Sequence, residues 1–168
     1  KTGVVGAGLI GRAWAMVFAR AGLQVKIFDA DAKALSACMG HIETLVKDMH
    51  SADLVHENPA DIVRRITPVS SLAELCTDVD LIQENIRETL EAKIAIFSQL
   101  DALTHKDTIL ASSTSWLPTS LFTKDLEGRE RCLVAHPTNP PYLIPLVEVS
   151  PAPWTSEQAT QSAMAFYK

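Results

Sequence analysis

Disulfide-forming cysteine is nearly missing from this chain: its three thiols, Cys38, Cys76 and Cys132, are odd in number and far apart. They lack the short paired spacing of a zinc or redox site, and they read as buried thiols of a reducing cytoplasm. An excess of positive charge is missing as well. Fifteen Lys and Arg stand against twenty Asp and Glu, a formal charge of −5 with no basic stripe, so nucleic acid is not an expected partner. Long hydrophobic runs are missing too. The longest uninterrupted one, Ala13 to Ala19, is far too short to span a bilayer, and no signal-peptide pattern opens the chain. Membrane attachment is therefore not expected, and the expected location is the cytoplasm. There is no low-complexity tract.

What is present is an ordinary globular composition: 168 residues, 47% hydrophobic and 21% charged. That is the size of one domain, able to bury about two-thirds of its unfolded surface without disulfides or metal. The chain opens Lys1-Thr2-Gly3 without an initiator Met and stops at Tyr167-Lys168, inside what reads as a helix begun at Ser156-Glu157. The expectation is that residues 1–168 form one domain of a longer, two-domain protein.

Short apolar runs alternate with longer amphipathic stretches, the pattern of βαβ units on a mainly parallel sheet. Strands are predicted at Thr2–Val5, Gln24–Asp29, Thr67–Ser70, Asp80–Glu84, Thr108–Ser112, Cys132–His136 and Leu146–Val149. Helices are predicted at Ile10–Ala21, from Asp31 to about Met49, from Asn58-Pro59 to about Arg65, and at Glu88–Leu100. Ser71-Leu72-Ala73-Glu74 has capping-box spacing for a further turn or two. The fold class is α/β, a doubly wound Rossmann-type sheet.

Gly6-Ala7-Gly8-Leu9-Ile10-Gly11 is G-x-G-x-x-G, placed between a strand and a helix, with Asp29 closing the next strand. In that context the motif is a dinucleotide fingerprint. Gly6 permits the tight turn, Gly8 lets the backbone approach a pyrophosphate, and Gly11 lets the helix pack on the strand. Leu9 and Ile10 begin the helix whose free N–H groups face the phosphates. Asp29 is expected to accept from the adenosine ribose hydroxyls and to repel a 2′-phosphate, which favours NAD over NADP.

A second constellation comprises Ser113-Thr114-Ser115, His136-Pro137-Thr138-Asn139-Pro140, and Leu146-Val147-Glu148. His136 closes a predicted strand at the edge where open α/β sheets bind ligands. Its imidazole suits proton transfer from an alcohol, Glu148 could orient the ring, and Ser115 could bond the substrate oxygen. On spacing alone, a strand-end histidine is more often a structural hydrogen-bonder, and the serines also read as turn chemistry. Trp14 reads as core packing, Arg64-Arg65 as a surface pair, and no metal site is expected.

These residues together resemble the NAD-binding domain of the 3-hydroxyacyl-CoA dehydrogenase family, over essentially the whole chain. Within it, the run from His136 to Glu148 is most similar to the lambda-crystallin/L-gulonate 3-dehydrogenase branch, and L-carnitine dehydrogenases have a similar run. The resemblance implies His136 as catalytic base, Glu148 as its carboxylate partner, Ser115 at substrate and nicotinamide, and Asn139 near the nicotinamide end. It also implies that Glu88 and Lys93, five residues apart, lie near the cofactor. Ser113 and Trp116 replace an asparagine and a serine of the hydroxyacyl-CoA enzymes, and Pro137-Thr138 replace aromatics. Both departures favour a small polar hydroxy acid over a CoA thioester. The family has a C-terminal helical domain that supplies a catalytic asparagine and forms the homodimer. That domain is absent from this chain, so the piece is expected to bind NAD and turn over little alone. A crystallin-like structural role and an NAD-sensing role stand as the non-enzymatic alternatives.

Overall fold

The computed structural model describes every residue from Lys1 to Lys168. The chain builds one seven-stranded sheet. Strand β1 (Thr2–Val5) leads through α1 (Leu9–Arg20) to β2 (Val25–Phe28). Two helices follow, α2 (Ala32–Ser51) and α3 (Pro59–Val63), before the short β3 (Ile66–Pro68). Helix α4 (Leu72–Cys76) then crosses back to β4 (Leu81–Glu84). Next come α5 (Leu90–Leu103), β5 (Ile109–Ser112), α6 (Thr119–Thr123) and β6 (Cys132–Pro137). The last elements are β7 (Val147–Pro151) and α7 (Glu157–Phe166).

The strand order is β3-β2-β1-β4-β5-β6-β7, parallel throughout except that β7 runs antiparallel to β6. The direction of winding reverses between β1 and β4. A crevice therefore opens at their C-terminal ends, where the loops to α1 and α5 diverge. Strands β1, β4 and β5 are buried at every position, as strands covered on both faces must be.

Each face of the sheet carries its own apolar core. Trp14, Phe18, Ile42, Val46 and Ile62 fill the side covered by α1, α2 and α3, with Ala163 of α7 packed on it. Leu75, Phe97, Leu100 and Phe122 fill the other, under α4, α5 and α6. The three cysteines are unpaired and buried in these layers, and burial pushes their thiols up to about 11 at Cys38 and Cys76 and about 12 at Cys132.

Side-chain caps set the helix starts. Asp31 accepts from the Lys33 amide at 2.9 Å, Asn58 from Ala60 at 2.9 Å, and Ser156 from Ala159 at 3.1 Å. The Ser71 hydroxyl accepts the Glu74 amide at 3.2 Å, but the Glu74 carboxylate returns to the Ser70 amide instead of closing the box on Ser71.

Three expectations are corrected. Helix α5 starts at Leu90 with Thr89 as its cap, so Glu88 lies in the preceding loop, where its carboxylate serves the turn after β5. Helix α6 and a single 3-10 turn at Arg129–Arg131 were not predicted, because elements this short carry no readable period. Arg65 is not a free surface charge. Its guanidinium pairs with Glu57 and donates to the Ala19 carbonyl at 3.0 Å, tying α3 to the end of α1.

Candidate active site

The glycine loop has the mechanics its motif implies. Gly6 adopts φ +93°, open mainly to glycine. A Cβ on Gly11 would lie 1.8 Å from the Gly6 carbonyl oxygen, so only glycine lets α1 start this close to β1. A Cβ on Gly8 would meet nothing within 4 Å. That open space lies at the start of α1, whose N-cap makes no side-chain hydrogen bond, leaving its first N–H groups for a ligand. Leu9 projects into solvent at the same turn.

Asp29 stands across the loop. One carboxylate oxygen accepts the Ala7 amide at 2.7 Å and the other accepts the Asp31 amide at 2.8 Å. The side chain is thereby fixed at the rim of a groove of about 720 Å³ lined by Gly6, Gly8, Phe28, Asp29, Asn85 and Ile86, among others. An uncapped helix N-terminus, an unfilled space over Gly8 and a fixed carboxylate at the groove rim together fit an adenine dinucleotide. Phe28, Ala30, Ile86 and Arg87 also line the groove, and their spacing in the sequence gave no sign of it.

The other expected residues gather on the same sheet edge. His136 and Glu148 are direct cross-strand partners on β6 and β7. The ring Nδ1 lies 2.9 Å from Glu148 Oε2. With Glu148 ionised, Nδ1 carries the proton and Nε2 is left as the basic nitrogen. Ser115 lies three residues beyond β5, the neighbour of β6. Glu88 joins it from the loop after β4: one carboxylate oxygen accepts the Ser115 amide at 2.6 Å, the Ser115 hydroxyl at 3.1 Å and the Thr114 hydroxyl at 2.7 Å. Burial pushes the Glu88 carboxyl up, but these hydrogen bonds and the Lys93 charge outweigh it and hold it below its ordinary 4.5. Asn139 is exposed in the loop after β6.

Lys93 is brought to this region but turned inward. It is 1% exposed, and its ammonium bonds both oxygens of Glu84, at 2.6 and 2.8 Å. Its ammonium also donates at 3.3 Å to the carbonyl of Ile86, which lines the groove. Glu84 itself drew no attention in the sequence. Its signal was Gln83-Glu84 closing an otherwise apolar strand.

Beneath the site runs a second polar chain. The Ser113 hydroxyl accepts from Trp14 Nε1 at 3.0 Å and Gln83 Nε2 at 2.7 Å, and donates to Asn85 Oδ1 at 2.7 Å. The Tyr167 hydroxyl donates to Gln83 Oε1, and burial raises its pKa well above 10. Trp14 is thus core, as expected, but also a hydrogen-bond donor. The Ser113 hydroxyl is committed to three hydrogen bonds within the protein.

The NAD binding domain of 3-hydroxyacyl-CoA dehydrogenases matches residues 1–168. Among curated proteins, lambda-crystallin of Oryctolagus cuniculus is 39% identical over 156 residues, which is 91% of this chain and 49% of that protein. L-carnitine dehydrogenase of Oceanobacillus iheyensis is 33% identical over 168 residues, 100% of this chain and 54% of the relative. The solved structure of 3-hydroxybutyryl-CoA dehydrogenase from Escherichia coli superposes with a TM-score of 0.94 at 27% identity, covering 99% of this chain and 35% of that one. The chain spans about half the length of the curated relatives it matches.

Proposed function

Because the chain belongs to the 3-hydroxyacyl-CoA dehydrogenase family, matching its NAD-binding domain from end to end, we propose that the protein oxidises the 3-hydroxyl of a small polar hydroxy acid, with His136 as base. The observation that carries this reading is the His136–Glu148 pair, 2.9 Å apart and in register across β6 and β7. It leaves one imidazole nitrogen basic at the ligand-binding edge of the sheet.

When bound, NAD accepts the hydride, and that chemistry belongs to the cofactor. Gly6, Gly8, Gly11 and the start of α1 at Leu9 and Ile10 would hold its pyrophosphate, and Asp29 its adenosine ribose. The chain's own residues handle the proton. His136 Nε2 takes it from the substrate hydroxyl, and Glu148 stabilises the imidazolium that forms. Ser115, whose hydroxyl donates to Glu88 in the free protein, turns that proton onto the substrate oxygen and so steers it while His136 takes the substrate's own proton. Asn139, at the exposed end of the same edge, lies with the nicotinamide half in this reading.

Trp116 and Pro137-Thr138 flank Ser115 and His136, and favour a compact hydroxy acid such as L-gulonate over a 3-hydroxyacyl-CoA. L-carnitine and 3-hydroxybutyryl-CoA are the competing substrates, carried by the relatives named above. The decisive assay follows NADH formation by the full-length protein with NAD and each of L-gulonate, L-carnitine, 3-hydroxybutyrate and 3-hydroxybutyryl-CoA. Turnover of L-gulonate above the CoA ester supports the reading. Preference for the CoA ester contradicts its substrate half. No turnover of any, with NADH still bound, would favour a structural role of the kind lambda-crystallin's name denotes.

A further inference from the structure

Glu84 closes β4 with a fully buried carboxylate whose two oxygens take four hydrogen bonds. Oε1 accepts the Ile86 amide at 2.6 Å and Lys93 Nζ at 2.6 Å. Oε2 accepts Lys93 Nζ at 2.8 Å and the Ser112 hydroxyl at 2.6 Å. The ammonium of Lys93 also donates to the Ile86 carbonyl at 3.3 Å. An apolar pair of the same size would stabilise a core at least as well, because removing two charges from water offsets their attraction. What the ionic pair adds is geometry: it joins α5, the loop after β4 and the end of β5 at one point.

Both joined segments lead into the site. The loop after β4 presents Asn85, Ile86 and Arg87 to the dinucleotide groove. The turn after β5 runs from Ser112, whose hydroxyl oxygen also accepts the Thr114 amide at 3.3 Å, to Ser115. Glu88 then links the two segments a second time, above the buried pair, through Thr114 and Ser115. We propose that Glu84 and Ser112, both fully buried and tied through Lys93 to α5, are positioning residues for the dehydrogenase reaction, setting Ser115 against the cofactor groove without themselves touching substrate or cofactor. The inference rests on the reading of Ser115 and His136 given above.

The test uses the full-length protein in three forms. Ser112→Ala cuts the link between the buried pair and the turn, and with it the bond from the Thr114 amide to the same hydroxyl. Glu84→Leu with Lys93→Met removes both charges together, so that neither is left buried alone. His136→Ala controls for the underlying reading. Whichever substrate of the panel is turned over is used, AMP binding reports the adenosine half of the groove, and amide exchange reports Ser115.

Ser112→Ala and the double variant are expected to lose about tenfold in kcat, as small misplacements of reacting groups do. KM and AMP affinity should stay within about twofold, and the Ser115 amide should exchange faster, since displaced positioning raises the barrier and not the ground-state affinity. A wild-type kcat in Ser112→Ala, whatever happens to its melting temperature, overturns the proposal. If the double variant does not fold, Ser112→Ala decides alone. If no panel compound reacts, unchanged Ser115 exchange in Ser112→Ala overturns it. Full turnover in His136→Ala would instead defeat the dehydrogenase reading, and this proposal with it.

Discussion

The Asp29 carboxylate accepts the Ala7 amide of the glycine loop at 2.7 Å, so the side chain proposed to hold the ribose and the loop proposed to hold the pyrophosphate form one unit. Replacing Asp29 by Ala removes the ribose acceptor and leaves the Ala7 and Asp31 amides without their partner. NAD affinity should fall about 10- to 100-fold, the worth of one charged hydrogen bond. Discrimination against NADP should relax at the same time. Titration of the full-length variant with NADH and NADPH checks both, and unchanged discrimination would remove Asp29 from the site.

Gly8 and Gly11 separate binding from folding. Gly11→Ala places a methyl 1.8 Å from the Gly6 carbonyl oxygen and should cost at least about 4 kcal/mol, at the extreme end of single substitutions. Gly8→Ala meets nothing, so its melting temperature should match the wild type while NAD affinity drops. Thermal melts beside NADH titrations of the two variants test the contrast.

Glu88 gives the site an acid limit. Its carboxyl is held below its ordinary 4.5 in the folded protein, so the stability it contributes is fully present above pH 4.5. That contribution is lost as pH falls through the depressed folded value. Glu88→Gln should therefore melt below wild type at pH 7, and the gap should close as the pH drops below about 4.5, near the unperturbed glutamate value. Melting curves across pH 3 to 7 measure it. A gap independent of pH would show that the carboxylate charge plays no part.

The alternation of apolar runs with amphipathic stretches made the doubly wound sheet legible, and G-x-G-x-x-G with Asp29 marked its cofactor edge, because backbone geometry dictates those residue types. The pairing of Glu148 with His136 was offered by the residue types and by resemblance, but its geometry depends on the antiparallel return of β7, which no local pattern announces. Lys93 was placed near the cofactor by resemblance, while its partner there, Glu84, is a tertiary contact between α5 and β4 that spacing does not show. Glu88 read as the first residue of a helix, because its partners, Thr114 and Ser115, arrive from the turn after another strand. Local periodicity cannot report such long-range polar pairs.

His136 is the hinge of the account. The most direct test compares wild-type, His136→Ala and Glu148→Gln full-length protein, measuring kcat with the preferred substrate and the dissociation constant of NADH. Loss of about 10²–10⁴-fold in kcat for His136→Ala, the range of general-base catalysis, is expected. A smaller loss should follow Glu148→Gln, and NADH affinity should stay within about twofold in both, because the base acts on the substrate hydroxyl and not on the cofactor. Turnover retained in His136→Ala would contradict the assignment of the base and with it the proposed reaction.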